Sequence, residues 1–378
     1  MKEKLLRFFR RETVLCAALL LAACSMAFVP PDREYLGYID LRTLAILFCL
    51  MATMAGLQRT GLFRWVAQSL LGRVSRSRQL IRLLILLCFF SSMAVTNDVA
   101  LITFVPFTFI VLDLMGAEAK RQLMVPVVVL QTVAANLGSM LTPVGNPQNL
   151  YLYGRAGLSF GSFVLLMLPY ALVSLLLLLV WGDCCARAYP APVRVAFGEE
   201  IRLSRQKVPL AACGLLFLLD LLTVARVIPW GLTLLLTLLL LALVDRAVFA
   251  LVDYSLLLTF VGFFLFVGNL GRIPVFCGAL RRIVAGNELA AGVAASQVMS
   301  NVPAALLLSG FTGDLPPLII GVNLGGLGTL IASMASLISY KLVVREDGGV
   351  KGAYFRYFTA ANLCFLALLL LLAAFLRG

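Results

Sequence analysis

Long apolar runs separated by short polar connections dominate the chain. Runs near Thr13 to Val29, Leu41 to Leu57, Met124 to Leu152, Phe160 to Trp181, Val208 to Val224, Ile228 to Val244, Ser255 to Leu270, Leu315 to Val344 and Tyr354 to Leu376 are the right length for membrane crossings. A helix needs roughly 20 apolar residues to cross the hydrocarbon core of a bilayer. Nine crossings are therefore predicted. Two further segments, Leu83 to Leu114 and Leu289 to Phe311, are apolar but interrupted midway by polar residues, with arms too short to cross comfortably. Both are predicted to be re-entrant hairpins, because backbone that leaves helical geometry at membrane depth is tolerated only under protein or beside a water-filled cavity.

Composition strengthens this picture. The 378 residues are 62% hydrophobic and 13% charged, against roughly 25% charged in an average soluble domain. Too few polar residues remain to cover a globule. A soluble enzyme, a secreted disulfide scaffold, a disordered chain and a conventional nucleic-acid binder are all disfavoured. The nine cysteines sit mostly singly in apolar runs without CxxC spacing and read as small apolar packers. Histidine is absent, so proton coupling would have to run through a carboxylate. Basic Met1 to Glu12 followed by Leu21-Ala22-Ala23-Cys24 resembles a lipoprotein signal and cleavage box. With so many crossings behind it, this stretch reads better as a first transmembrane helix with its basic end inside.

The net charge of +13 is explained by topology. With the N-terminus inside, most of the 31 lysines and arginines fall on predicted cytoplasmic segments, including Arg59 to Arg82, Lys120-Arg121 and the polar stretch 182–207. The basic run Arg73 to Arg78 joins an amphipathic stretch with Phe63, Trp65 and Leu70 and reads as an interfacial helix, matched later by Pro274 to Ala285. Residues 182–207 are predicted to be a cytoplasmic linker. It separates an N-terminal repeat, 1–181 with an extra first helix, from a C-terminal repeat, 208–378.

The two halves share motifs. Thr96-Asn97-Asp98 in the first corresponds to Ser300-Asn301-Val302 in the second, and Asn136-Leu137-Gly138 through Thr142 corresponds to Asn323-Leu324-Gly325 through Thr329. Five predicted crossings lie between Asn97 and Asn301, an odd number, so the second copy is expected upside down relative to the first. Inverted repeats with paired interrupted helices are a signature of secondary transporters that bind substrate near the midplane.

Polar residues at membrane depth are the candidates for chemistry. Leu141 to Asn149 cannot be a regular helix, because Pro143 and Pro147 remove backbone donors and Gly145 loosens the chain. A break at 136–149 is predicted, and Gly325, Gly326 and Gly328 predict another at 323–329. Each break frees N–H groups at a positive dipole end and carbonyls at a negative one, suited to an anion and a cation respectively. The expected substrate ligands are Thr96, Asn97, Asp98, Ser139, Thr142, Pro143, Gly145, Asn146, Ser300, Asn301 and Thr329. The expected Na+ or H+ coupling site draws on Asn97, Asp98, Asn136, Gly138, Asn301, Asn323 and Gly325. Asp98 stands out, since a carboxylate at membrane depth usually marks an ion path or proton relay; it coordinates a cation, carries a proton, or only locks the tip by accepting backbone bonds. Asp113 and Asp220 fall nearer predicted span ends and read as interfacial. No GxxxxGK[ST] nucleotide loop is present.

At Thr96 to Leu101, Asn136 to Asn149 and Ser300 to Pro303 the sequence resembles the ion transporter superfamily with a citrate transporter-like domain, which includes divalent anion:sodium symporters, metal-citrate carriers, arsenite permeases and Na+/H+ antiporters. The resemblance spans nearly the whole chain. It implies an all-α polytopic membrane protein with two five-helix inverted repeats, a hairpin in each (83–114 and 289–311), elevator-type alternating access and often a homodimer. In the dicarboxylate branch each tip reads Ser-Asn-Thr and holds substrate carboxylate and Na+; the Asn97-Asp98 tip is more similar to the arsenite-permease branch.

The expectation is a cation-coupled secondary active transporter of a small carboxylate or inorganic oxyanion, without a cofactor and without nucleic acid as partner. It would lie in a bacterial cytoplasmic membrane with the N-terminus cytoplasmic. Alternatives are a Na+/H+ antiporter using Asp98 and an arsenite or antimonite efflux permease. A membrane scaffold or an intramembrane enzyme is the least favoured, as no nucleophile–base pair or metal cluster is visible.

Overall fold

The computed structural model describes residues 12–72, 74–188, 190 and 207–377. The basic residues Lys2 to Arg11, Arg73 and most of the predicted linker lie outside them. Most of each apolar run is helical, because a helix keeps its backbone groups bonded within its own segment, the condition lipid imposes. The first half contains α1 (Thr13–Met26), α2 (Leu41–Arg59), α3 (Leu62–Leu71), α4 (Ser77–Val95), α5 (Asn97–Met115), α6 (Ala117–Ser139), α7 (Pro147–Ala156) and α8 (Phe160–Ala188). The second contains α9 (Lys207–Val224), α10 (Trp230–Val244), α11 (Tyr254–Gly271), α12 (Pro274–Val284), α13 (Glu288–Met299), α14 (Asn301–Ser309), α15 (Leu315–Leu324), α16 (Met334–Glu346) and α17 (Lys351–Arg377). Among the described residues eight helices, α2, α4, α5, α6, α8, α9, α11 and α17, are long and apolar enough to cross a membrane. The protein is a polytopic, all-helical membrane protein.

The order from α2 to α8 (long helix, amphipathic helix, hairpin, interrupted helix, long helix) is repeated from α11 to α17. The caps repeat too. Asp40 Oδ1 accepts from the Thr43 N–H at 3.0 Å at the start of α2, and Asp253 Oδ1 accepts from the Leu256 N–H at 3.0 Å at the start of α11. Each cap satisfies a donor that the first turn of a helix leaves free.

Two expectations need correction. The arms of the first hairpin are not short: α4 and α5 have 19 residues each and both qualify as spans by length and composition. The polar Ser91-Ser92 and Thr96-Asn97-Asp98 that interrupt the apolar pattern mark the end of one full helix and the start of the next. The second hairpin keeps short arms of 12 and 9 residues. The predicted linker also starts late, since α8 continues as helix to Ala188, seven residues beyond Trp181.

Packing divides the molecule into two layers. The buried helix α6 is clasped by α4, α5 and α8, while α13 and α14 pack on α15; α16 bridges the halves by lying against α5 and α6. A second layer pairs α1 with α11 and α2 with α9, with α10 against both α2 and α9. Outward stripes such as Leu232, Leu235, Leu239 and Leu243 on α10 follow helical spacing and stay exposed, a face that lipid covers. Ion pairs gather at helix ends: Arg59 with Asp245 at 2.6 Å, Arg82 with Asp183 at 2.6 Å and Arg272 with Asp32 at 2.7 Å. Asp113 joins them through Lys120 at 2.8 Å, as its interfacial reading requires. Asp220 does not; it is fully buried within the second layer.

Candidate functional site

The hairpins turn at Thr96 and Ser300, and both residues adopt nearly the same backbone conformation, φ 79° and ψ 151° against φ 75° and ψ 155°. Side-chain-bearing residues rarely occupy this region, and holding one there costs about 1–3 kcal/mol. The strained turn stops one helix and starts the next within a single residue, so α5 and α14 begin at Asn97 and Asn301 with their N–H groups at the tip. Relief of that strain is testable: Thr96→Gly should raise the thermal midpoint of the purified protein, while Thr96→Ala should not, and equal midpoints would show the turn to be unstrained.

Both predicted breaks are present. Helix α6 ends at Ser139 and α7 begins at Pro147, while α15 ends at Leu324 and α16 begins at Met334. The first tip meets the breaks directly. Asn97 Nδ2 donates to Asn136 Oδ1 at 2.9 Å, Ser333 Oγ donates to the same oxygen at 2.9 Å, and Asn136 Nδ2 donates to Ser336 Oγ at 3.3 Å. A second link runs the other way between the halves, with Asn323 Nδ2 donating to Asn149 Oδ1 at 2.7 Å. Asn323 follows Asn136 by 187 residues (323 minus 136), and Ser336 follows Asn149 by the same interval. The two crossing bonds therefore join equivalent positions reciprocally.

Other contacts obey the same intervals. Thr142 Oγ1 donates to the Met93 carbonyl, and Thr329 Oγ1 donates to the Gln297 carbonyl at 3.1 Å. A Cβ on Gly138 would lie 2.7 Å from Ser92 Oγ, and one on Gly325 would lie 2.7 Å from Ser296 Oγ. In each half the interrupted helix is thus fastened to its own hairpin.

The structure sorts the predicted ligands into groups. Asn97 and Asn136 are in contact, and Ser139 receives Asn146 Nδ2 at 2.6 Å. Ser300 and Asn301 instead meet the second break through the Ala332 carbonyl, which accepts from the Asn301 N–H at 3.0 Å. Thr142 and Thr329 act as fasteners between break and hairpin, with Gly145 N–H donating to Thr142 Oγ1 at 3.1 Å. Gly138, Gly145 and Gly325 permit close approach, a Cβ on Gly145 falling 2.1 Å from the Ser139 carbonyl oxygen. Pro143 is buried in the break without a polar contact of its own. Asp98 makes no tip-locking bond: its Oδ1 is buried and has no hydrogen-bond partner, and the residue as a whole is half-buried. Asp253 is the charged group that it feels. A cavity of about 170 Å³ borders the second tip, lined by Ser300, Val302 and Pro303 together with Asp253, Met334 and Lys341.

Ser333, Ser336 and Gln297 were not among the predicted ligands. Gln297 Nε2 donates to the Gly325 and Leu327 carbonyls, both at 2.9 Å, and its Oε1 accepts from the Thr329 N–H at 2.9 Å. The signal for all three was the repeat carried further: the 187-residue interval maps Asn146 and Asn149 onto Ser333 and Ser336, and the hairpin interval of 204 (301 minus 97) maps Met93 onto Gln297. Because Asn323 Nδ2 and Asn149 Oδ1 are bonded inside a buried network, a double-mutant cycle of Asn149→Ala and Asn323→Ala should return a coupling of about 0.5–3 kcal/mol in unfolding free energy. Strict additivity would mean that the bond contributes nothing.

An all-helical chain that crosses the membrane many times and brings two hairpin tips and two interrupted helices together in its interior belongs among the membrane transporters, not the enzymes. It is a member of the citrate transporter family, whose sequence profile matches residues 5–315. It is 31% identical over 330 residues to the inner membrane protein YbiR of Escherichia coli, covering 86% of each chain. It is 30% identical over 350 residues to an uncharacterised transporter of Methanocaldococcus jannaschii, covering 91% of each. The silicon efflux transporter LSI3 of rice is 32% identical over 193 residues, 49% of this chain and 38% of that protein.

Proposed function

We propose that this protein is a secondary active transporter that moves a small carboxylate or inorganic oxyanion together with Na+ or H+ by alternating access. The reciprocal pairing of Asn136 with Ser336 and Asn323 with Asn149 carries the reading. Equivalent residues of two related halves meet there, next to the first tip, which is what two inverted copies joined about an approximate two-fold axis produce. The excess of Lys and Arg on alternate connections supports an N-terminus on the cytoplasmic side. The hairpins and breaks are fastened to each other within each half, so tips and breaks form a unit that shifts as one against the layer built from α1, α2, α9, α10 and α11.

The donors at the tips are neutral amides, hydroxyls and helix N-termini, and none of the motif residues is Lys or Arg. An anion held by such groups beside Asp98 needs a compensating positive charge. A cation bound at Asp98, or a proton on it, supplies that charge and makes anion binding and cation binding interdependent. A second reading follows from the lack of Lys and Arg in the motifs themselves, with Lys341 bordering the second tip from outside them: a neutral metalloid hydroxide needs no counter-ion, and LSI3, similar over half the chain, is named for silicon efflux.

Thermal unfolding of the purified protein against citrate, succinate, phosphate and sulfate distinguishes the two, since a ligand at 100 times its Kd stabilises the folded state by about 2.7 kcal/mol. One of these anions should raise the midpoint only when Na+ is added or the pH is lowered. Stabilisation by arsenite or silicic acid, independent of Na+ and pH, would favour the second reading instead.

A further inference from the structure

Away from the hairpin tips, a second carboxyl lies inside the layer in which α2, α9 and α10 pack on one another. Asp220 on α9 is fully buried, and neither of its oxygens has a hydrogen-bond partner. Thr53 on α2 stands beside it, and Cys49, one turn earlier on the same helix, feels its charge. Thr237 on α10 lies within reach of Cys49. The hydroxyl oxygens of Thr53 and Thr237 are likewise buried without a partner. Four polar oxygens from three helices thus sit unused in an apolar layer, where each such atom demands an explanation.

Among the described residues no lysine or arginine pairs with Asp220. From α2 the titratable group facing it is Cys49, and the buried face of α10 presents Thr233, Thr237 and Leu241, none of them titratable. From α7 comes Tyr153, whose hydroxyl donates to the Val224 carbonyl at 3.0 Å and whose ring carries the Arg226 guanidinium 5.2 Å from its centroid. Towards the other end of α9, Cys213 faces Asp245, itself paired with Arg59. Asp220 therefore needs a positive charge brought to it from outside. Metal cations fit poorly: α2, α9 and α10 pass this level as unbroken helices, so their carbonyls are committed to bonds along the helix, and no free carbonyl completes a sodium shell. A proton needs only the carboxylate.

A cavity of about 470 Å³, lined by Asp40, Arg42, Tyr153, Arg155 and Val224, reaches α9 at Val224, one helical turn or about 6 Å along the axis from Asp220. We propose that Asp220 is a proton-binding carboxyl, loaded and unloaded from the side of this cavity, with the Thr53 and Thr237 hydroxyls, unbonded in the present arrangement, turning to bond its side chain. The site is separate from the tips and does not depend on what they carry.

Infrared difference spectroscopy of the full chain in lipid, titrated from about pH 5 to about pH 9, tests this without any transported solute. A protonated-carboxyl band should grow on acidification, survive Asp98→Asn and vanish in Asp220→Asn. In a protein carrying both Thr53→Val and Thr237→Val the band should persist with its midpoint displaced by about tenfold in proton concentration, the order expected for losing a hydrogen-bond partner. A band that is untouched by Asp220→Asn, or that stays constant across the whole range, overturns the proposal. If Asp220→Asn yields no folded protein, the double valine variant decides alone: an unmoved midpoint counts against it.

Discussion

Gly138→Ala is expected to lower the accumulation of folded protein severely. A Cβ at this position would lie 2.1 Å from the Phe89 carbonyl oxygen and 2.7 Å from Ser92 Oγ, both on α4. The first of these is helix backbone, which cannot rotate aside, so α4 and α6 would have to part. Overpacking a close-packed interior costs roughly 1–3 kcal/mol even where side chains can shift, and membrane helices have no other means of approaching closely than small residues at the contact. That loss is a large fraction of the roughly 5–15 kcal/mol by which folded proteins are stable. At Gly325 the opposing atoms in the neighbouring helix are Ser296 Oγ and Cβ, at 2.7 and 2.8 Å, with no backbone atom of that helix as near as the Phe89 carbonyl is to Gly138, so Gly325→Ala should be milder. Yield of monodisperse protein and its thermal midpoint decide the matter: an alanine at 138 that leaves both at their original values would show that α4 and α6 are not packed as described.

Asp98→Asn is expected to act on function while sparing the fold. Asp98 Oδ1 lacks a partner, so replacing the carboxylate by a neutral amide of the same shape removes charge without breaking a structural bond. The protein should insert and unfold much as before, within about 1 kcal/mol. Uptake driven by a Na+ or proton gradient should fall by about tenfold or more, equivalent to about 1.4 kcal/mol, or become independent of the gradient. Unchanged coupling in the asparagine variant would remove Asp98 from the mechanism. If the natural reaction is Na+/H+ exchange, the same variant stops dissipation of a pH gradient by Na+ in the absence of any anion.

How far the sequence reaches can be judged from particular residues. The interruption at Pro143, Gly145 and Pro147 was legible because those residues exclude regular helix. The hairpin turns were placed by the polar triplets at Thr96 and Ser300, although neither triplet reveals the left-handed backbone that makes so sharp a turn. Helix length was harder to read. The arms α4 and α5 look short because polar Ser91, Ser92 and Asn97 dilute the apolar run, yet inside the protein Ser92 bonds the Phe89 carbonyl, Asn97 bonds Asn136, and both arms are full-length helices. Asp220 was misplaced for a related reason: nearness to a span end along the chain says nothing about whether the end faces solvent or a neighbouring helix. Ser333, Ser336 and Gln297 escaped notice because serine and glutamine are common, and only the constant interval between the halves singles them out.

Transport by paired tips is tested most directly in proteoliposomes containing the full chain, with an imposed Na+ or proton gradient and labelled citrate, succinate, phosphate or sulfate outside. At least one of these anions should enter saturably and only with the gradient, and Asn97→Ala or Asn301→Ala should each cut that uptake by about tenfold or more while the variants remain folded, since each strips a buried amide from a tip. Gradient-driven uptake that survives both replacements together, or the absence of uptake of every one of these anions by well-folded protein, would contradict it.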